Sequence, residues 1–352
     1  MDGTAIILTS GLYTRDNGKT AHGLVRGTER FKIVGVVDSE ETRGKDAGEL
    51  LDGTHRGIPI FASIAEAHHS LGQVDYCIIG VALPGGKLSK ELKKQISQAM
   101  AKGMSIVNGL HTFLNEDPEM AFLTVQHEVN IFDIRMPKPK EALSFWSGEI
   151  FKVPCPKIAV LGMDCAVGKR TTAKLLMEKA REKGLKAQMI YTGQTGWLQG
   201  FEYGFILDST YNDFVAGELE KAIVNCYKNE QPDIIFVEGQ SALRNPSGPC
   251  GAELLLSGNM DGVILQHIPG RQYWDDNPAW GEMPSVKSEI ELIKLYGKEV
   301  LGITLNTSKL PKEQIKSYQQ ECSAETGVPT FLPLEEDVET LVEVLTKKFN
   351  LG

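Results

Sequence analysis

The 352-residue sequence has no C-x-x-C pair among its six cysteines, several of which lie inside apolar runs. This excludes the usual spacing of a zinc site and favours reduced thiols over a disulfide framework, so we expect no bound metal. No apolar run is long enough to span a membrane, and residues 1–11 lack the basic start and apolar stretch of a secretory signal. We therefore expect a cytoplasmic protein without a membrane partner.

Basic residues are fewer than acidic residues. The sequence has 37 Lys and Arg against 46 Asp and Glu, a formal net charge of -9. Because binding to nucleic acid needs a concentrated basic face, we expect no nucleic-acid partner. The 41% hydrophobic and 24% charged residues are ordinary for a globular protein, and the length favours two domains.

Nearly continuous apolar runs predict strands that are buried on both faces, as parallel sheets require. The runs are TAIILTSG, FKIVGVVD, VDYCIIGVA and MSIVNGL in the first half, and KIAVLGM, AQMIYTG, DIIFVEG, GVILQH and VLGITLN in the second. Helical patterns separate them. We therefore predict an α/β protein of two domains, a Rossmann-like parallel sheet in residues 1–135 and a P-loop NTPase-like parallel sheet in residues 157–352. Prolines at 137, 139, 154 and 156 indicate a linker at residues 136–156.

The motif GMDCAVGKRTTA begins at Gly162 and predicts a phosphate-binding loop. Gly162 ends a predicted strand and Lys169 opens a predicted helix, whose apolar residues recur on one face. At such a junction, backbone N–H groups, the helix dipole and a lysine together attract phosphate oxygens. The residues predicted to bind the phosphates of a cofactor are Gly162, Asp164, Val167, Gly168, Lys169, Arg170, Thr171 and Thr172.

Arg170 stands where phosphate loops usually carry the Ser or Thr that holds magnesium. The side chain of Thr171, the next residue of the predicted helix, points about 100° further around the helix axis. It cannot take over the role of the missing hydroxyl without a change in the loop. Arg170 at this position argues against magnesium-dependent chemistry. It remains compatible with the binding of a diphosphate. The G-x5-G-K spacing resembles that of dethiobiotin synthetase and related P-loop proteins.

Polar side chains follow two later strands. Glu238 ends the strand run DIIFVEG, where it could be a general base, an amine contact, a metal partner or a solvated carboxylate. Downstream, HIPGRQYWDDNP supplies His267, Arg271 and Tyr273, and SALRNPSG supplies Arg244; each could contact a ligand or simply pack at the surface.

A second glycine-containing segment follows the first predicted strand. It carries Gly18, Lys19 and Thr20 directly before a predicted helix, and is not a G-x-G-x-x-G fingerprint. A second anion site that binds substrate and a plain turn with a solvated lysine are equally compatible with these residues.

Four segments, NGKTAHGLVR, GMDCAVGKRTTA, TGQTGWLQG and VEGQSAL, resemble the two-domain D-glutamate N-acetyltransferase-like family over nearly the full chain. The resemblance implies transfer of an acetyl group from acetyl-CoA to the amino group of D-glutamate or a related amino acid. An ammonium group must lose a proton before it can attack, and Glu238 is the first candidate for the base and His267 the second. The two substrate carboxylates call for arginines, for which Arg244 and Arg271 are candidates.

Two other functions remain open from the residues alone. One is an ATP-dependent kinase or carboxylate-activating ligase like dethiobiotin synthetase, in which Lys169, Thr171 and Glu238 serve ATP with magnesium. The other is a non-catalytic module that senses a nucleotide or CoA. In each case the partner is a small molecule, and a homo-oligomer is the usual state of such enzymes.

Overall fold

The computed structural model describes residues 2–82 and 88–352, in which strands and helices alternate along the chain. The strands are β1 Thr4–Leu8, β2 Lys32–Val37, β3 Ile60–Phe61, β4 Tyr76–Ile79, β5 Ser105–Asn108, β6 Ile131–Asp133, β7 Lys157–Gly162, β8 Ala187–Ile190, β9 Ile234–Glu238, β10 Gly262–His267, β11 Val300–Leu305 and β12 Thr330–Phe331. The helices are α1 Lys19–Arg26, α2 Ala47–Asp52, α3 Ile64–Leu71, α4 Lys90–Met100, α5 Pro118–His127, α6 Lys169–Glu182, α7 Gln194–Leu198, α8 Asn212–Glu230, α9 Ala252–Ser257, α10 Val286–Leu295, α11 Ile315–Thr326 and α12 Glu339–Phe349. Among the helices described, we find none with the length and apolar character needed to cross a bilayer.

The first compact unit consists of residues 1–137 and 194–201. Its parallel sheet has the order β3-β2-β1-β4-β5-β6. Separate apolar clusters pack around this sheet, one including Ile6 and Leu92 and the other Ile7 and Leu24. Successive residues of β1 thus enter different clusters, because neighbouring side chains of a strand point to opposite faces.

Helix α7 belongs to this first unit although it lies late in the sequence. Leu198 is fully buried in the unit's core, and Trp197 lies under the Arg30 guanidinium at 4.2 Å. Gln199 donates through Nε2 to the carbonyl oxygens of Gly23 and Gly27, at 2.9 and 3.1 Å. Residues 194–200 of the TGQTGWLQG motif therefore supply buried and hydrogen-bonded structure to the Rossmann-like unit.

The second unit consists of residues 138–193 and 202–352. Its parallel sheet has the order β12-β11-β10-β7-β9-β8, so that β7 lies between β9 and β10. The predicted fold class is confirmed, with a Rossmann-like sheet followed by a P-loop sheet. Because β7 leads into the predicted phosphate loop, the ends of β9 and β10 lie on either side of that loop.

Three strands were not predicted: β3, β6 and β12. Each has two or three residues and lies at the edge of its sheet. Edge strands are covered less completely than central ones, so they need no long apolar run. The nine longer runs all correspond to strands.

The proline-rich segment after residue 137 packs on α8 of the second unit. Glu218 accepts hydrogen bonds from Ser144 N and Lys138 Nζ, at 2.9 and 2.7 Å. Glu220 accepts from the backbone N–H groups of Ser147 and Ile150. These two buried glutamates hold the segment against the helix. The domain limits at residues 135 and 157 stay a prediction.

Candidate active site

The phosphate-loop motif connects β7 to α6, as its sequence predicts. Gly168 adopts a left-handed φ of 111° at the start of α6, a conformation that favours glycine. Gly162 is required by close packing, since a Cβ there would lie 2.8 Å from Val167 Cγ2 and 2.9 Å from Lys169 Cδ. Ala166 also has a left-handed φ, of 53°. Such backbone in a non-glycine residue is uncommon and is concentrated at functional loops.

Lys169 is buried at the first position of α6, and its ammonium group lies within the loop. Nζ donates to the carbonyl oxygen of Asp164 at 2.6 Å and to that of Ser241 at 2.8 Å. The lysine thus joins the phosphate loop to the segment after β9. Its positive charge adds to the field of the helix N-terminus, which favours an anion in the loop.

Asp164 is fully buried, and its carboxylate holds the loop from within. Its donors are the backbone N–H groups of Cys165 and Asp275, at 2.7 Å each, and the side chains of Asn245 and Arg271, at 2.8 Å each. The donors come from the segments that follow three neighbouring strands. Asp164 therefore sets the conformation of the loop and of its surroundings.

Replacing Asp164 with alanine should destabilise the protein strongly, because the buried guanidinium of Arg271 would lose its buried ion-pair partner and keep only the half-exposed Asp276. Breaking such a pair from one side costs roughly 3–5 kcal/mol of unfolding free energy. Urea denaturation of the wild type and the variant measures this cost. Glu182→Ala, which also removes an exposed partner of a lysine, Lys179, is the control and should unfold at the same urea concentration as the wild type. Equal stability of D164A and wild type would contradict the role of Asp164.

Glu238 lies at the end of β9, buried beside the phosphate loop. Its Oε2 accepts the Thr192 N–H at 3.0 Å, and the Gly193 N–H also contributes a hydrogen bond. Burial raises the pKa of this carboxyl, and the charges of Arg170 and Lys169 and the two N–H groups oppose that rise. A carboxylate with a raised pKa is a stronger base than an ordinary one, which suits it to accept a proton.

Arg170, the residue that replaces the usual hydroxyl, brings its charge close to Glu238. Of the influences that lower the pKa of Glu238, the Arg170 charge is the largest. In a magnesium site an acid at this strand end would face a cation bound by the loop. Here a guanidinium supplies the positive charge, and within residues 2–82 and 88–352 no cluster of three His, Cys, Asp or Glu could hold a metal ion.

The two arginines predicted to bind substrate carboxylates are both paired with carboxylates of this chain. Arg271 is bound to Asp164, and its Nε lies 3.2 Å from Asp276. Arg244 donates to the buried Glu289 at 2.7 Å from Nε, and to Ser288 Oγ at 3.0 Å from Nη1. Each arginine therefore forms an ion pair within the chain that stabilises its own segment. Its role as a substrate ligand stays a prediction.

His267 ends β10 and packs against α11. Its Nε2 lies 2.9 Å from the Tyr318 hydroxyl, and its Nδ1 has no hydrogen-bond partner in the described part of the chain. Burial lowers the pKa of His267 to about 4, so the ring is neutral at pH 7 and a weak base. Its neighbour Gln266 instead contacts Thr172 of α6. The histidine therefore lies on the opposite face of the sheet from the phosphate-loop helix.

Of the remaining predicted ligands in the second unit, Thr172 is buried and donates from Oγ1 to Gln266 Oε1 at 2.5 Å. Thr171 is half-buried in the same turn. Tyr273 is half-buried and forms a backbone bridge with Glu282, in the segment after β10.

The residues predicted as a second anion site lie in the first unit, at the start of α1. Gly18 has an ordinary φ of -78°, but a Cβ there would lie 2.8 Å from two backbone carbonyl oxygens. Lys19 begins the helix, and the Thr20 hydroxyl lies 3.3 Å from that of Thr195. The next N–H of α1, from Ala21, donates to the Gly80 carbonyl oxygen. Backbone packing accounts for the glycine, and binding of substrate here stays a prediction.

Several residues of the site were not predicted individually. The N–H groups that donate to Glu238 belong to Thr192 and Gly193, within one of the four segments that carry the family resemblance. Asn245 contacts Asp164 of the loop, and Gln266 contacts Thr172 in the first turn of α6. A single sequence carries no signal for such pairings, because they join segments far apart in the chain.

Residues 144–342 match the model described as "Domain of unknown function (DUF1611_C) P-loop domain". The chain belongs to the DUF1611 family. Residues 40–137 match the DUF1611_N Rossmann-like domain. A crystal structure of a DUF1611 family protein from Anabaena variabilis is similar over 98% of this chain and 99% of its own, with 29% identity and a TM-score of 0.89.

Curated relatives of this DUF1611 protein carry the name that the sequence motifs indicate. A "D-glutamate N-acetyltransferase" from Tritonibacter scottomollicae is 30% identical over 76% of this chain and 80% of its own length. A protein of the same name from Pseudoalteromonas sp is 30% identical over 75% and 79%. The predicted family resemblance is confirmed.

Proposed function

We propose that this protein transfers an acetyl group from acetyl-CoA to the amino group of D-glutamate or a related amino acid. The names of the two curated relatives support this reaction class. The observation that carries the proposal is the buried carboxylate of Glu238 next to a phosphate loop whose usual magnesium ligand is replaced by Arg170. A base beside an anion-binding loop suits the transfer of a group from a phosphorylated carrier to an amine.

The loop residues fit the diphosphate of acetyl-CoA. Left-handed backbone at Ala166 and Gly168, the start of α6 and the buried Lys169 would together bind an anion. Lys169 and Arg170 would hold the phosphates, without the need for a metal. Bound acetyl-CoA would supply the acetyl group as a thioester.

Glu238 would take the proton from the substrate ammonium group. Its raised pKa makes it a stronger base than an ordinary carboxylate, and the N–H groups of Thr192 and Gly193 fix its position. General base catalysis is most effective when the pKa of the base is close to the working pH. We assign this role to Glu238 rather than His267, because burial keeps the histidine a weak base.

Calorimetry on the wild type tests the proposal against its main alternative, an ATP-dependent kinase or ligase. Acetyl-CoA should bind without magnesium, whereas ATP should gain little or no affinity when magnesium is added. Magnesium-dependent ATP binding with no affinity for acetyl-CoA would overturn the proposal. Binding of acetyl-CoA with no acetylation of any amino acid would support a sensing module instead.

The charge of Arg170 should influence how kcat depends on pH. Because the carboxylate of Glu238 is the active form, kcat should fall as the pH drops through its pKa. Arg170→Ala removes the largest influence that lowers this pKa, so the acidic limb of the kcat profile should move to higher pH. Arg170→Lys keeps the charge and is the control. An unchanged acidic limb in R170A, measured at saturating acetyl-CoA, would contradict this coupling.

A further inference from the structure

Gln266 lies at the base of the phosphate loop, at the end of β10. It pairs with Gly162 of β7 on one side and with Thr304 of β11 on the other. Its carbonyl oxygen accepts the N–H of Met163, the first residue of the loop, at 2.9 Å. Only 2% of the residue is exposed, so its polar side chain needs partners or a ligand.

The oxygen end of the Gln266 amide is fully occupied. Oε1 accepts hydrogen bonds from Thr172 Oγ1 at 2.5 Å and from Thr304 Oγ1 at 2.7 Å. Two hydroxyl donors at one oxygen use both of its lone pairs and fix the plane of the amide. The Nε2 end must therefore point away from these two threonines.

The nitrogen end of the same amide lies against the loop. A Cβ built on Gly168 would lie 3.8 Å from both Cδ and Nε2 of Gln266, so the amide is close to the N-cap residue of α6. All hydrogen bonds of this side chain within the described residues go to its oxygen. The NH2 group therefore keeps its donor capacity for a ligand oxygen that reaches it from the loop.

We propose that Gln266 is a further ligand-binding residue, whose Nε2 donates to an oxygen of the phosphate group held in the loop. The proposal rests on the proposed function only in that a phosphorylated carrier occupies this loop. The ligand class is an anion with phosphate oxygens, such as a diphosphate. The amide would add a neutral donor to the charged Lys169 and Arg170, so it would select for phosphate geometry without adding charge.

Gln266→Glu tests the proposal, because it keeps the acceptor for both threonines and replaces the donor with a second oxygen. Calorimetry with inorganic pyrophosphate should show binding at least about tenfold weaker than in the wild type. The deficit should shrink as the pH falls, since protonation of the introduced carboxyl restores a donor. Gln188→Glu makes the same chemical change at a site that contacts Arg181, and should bind pyrophosphate like the wild type.

Unchanged affinity of Q266E for pyrophosphate, or no binding of pyrophosphate by the wild type, would overturn the proposal. If Q266E does not fold, Gln266→Met replaces it, with equal length and no donor, and the same loss of affinity is expected. A purely structural role would lower the melting temperature and leave the affinity of the folded protein unchanged, which also overturns the proposal. Failure of the proposed function is separate: pyrophosphate would bind, with loss in Q266E, while acetyl-CoA would not.

Discussion

Replacing Glu238 with glutamine is expected to lower kcat about 100- to 10,000-fold, the usual contribution of a positioned general base. Glutamine has nearly the same shape and can still accept the Thr192 N–H through its oxygen, but it cannot take a proton. The binding of acetyl-CoA should change little, because the loop donors remain in place. Steady-state kinetics together with calorimetry separates the two quantities.

The control for this substitution is Glu218→Gln. Glu218 is also buried and also accepts a backbone N–H, from Ser144, but it lies on α8 and its partners are residues of the preceding proline-rich segment. Its loss should affect stability more than kcat. Turnover of E238Q within a factor of about ten of the wild type would remove Glu238 from the mechanism, and a larger loss in His267→Gln would transfer the role to the histidine.

Lys169→Ala is expected to weaken the binding of acetyl-CoA roughly 10- to 100-fold. A hydrogen bond from a charged group to a phosphate oxygen contributes about 1.5–3 kcal/mol, and the substitution also removes a positive charge from a buried loop. Direct titration with acetyl-CoA measures the change in Kd. The loss should be smaller at high ionic strength, where the charge of the wild-type lysine is partly screened.

Lys174→Ala provides the matched control, since Lys174 lies on the same helix and pairs with Glu178 at its surface. It should bind acetyl-CoA with the wild-type Kd. If K169A also binds normally, the phosphate loop does not hold the carrier. The site of acetyl-CoA would then have to be sought elsewhere in the chain.

The sequence predicted the central strands because each is an apolar run buried on both faces. It predicted the strand, loop and helix around Gly162 and Lys169 because the motif depends on local backbone geometry. The edge strands β3, β6 and β12 were missed, since two or three partly covered residues leave no recognisable pattern. Local patterns are therefore sufficient for the sheet and the phosphate loop.

The sequence alone does not predict which residues form ion pairs with the charged side chains. Ligand contact and surface packing are both open for Arg271 and Arg244 from the sequence. Their partners are distant in the chain, since Asp164 lies 107 residues from Arg271 and Glu289 lies 45 from Arg244. Only the folded chain brings these carboxylates to the arginines. The placement of α7 in the first unit has the same origin, because its contacts join segments more than 160 residues apart.

Acetyl transfer by the purified wild-type protein is the most direct test of the central claim. The protein is incubated with acetyl-CoA and either D- or L-glutamate, without ATP or magnesium, and mass spectrometry follows the acetylated amino acid and free CoA. We expect N-acetyl-D-glutamate and CoA in equal amounts, with much less product from L-glutamate. No acetylation of either enantiomer or of any other amino acid, or turnover that needs ATP with magnesium, would contradict the account.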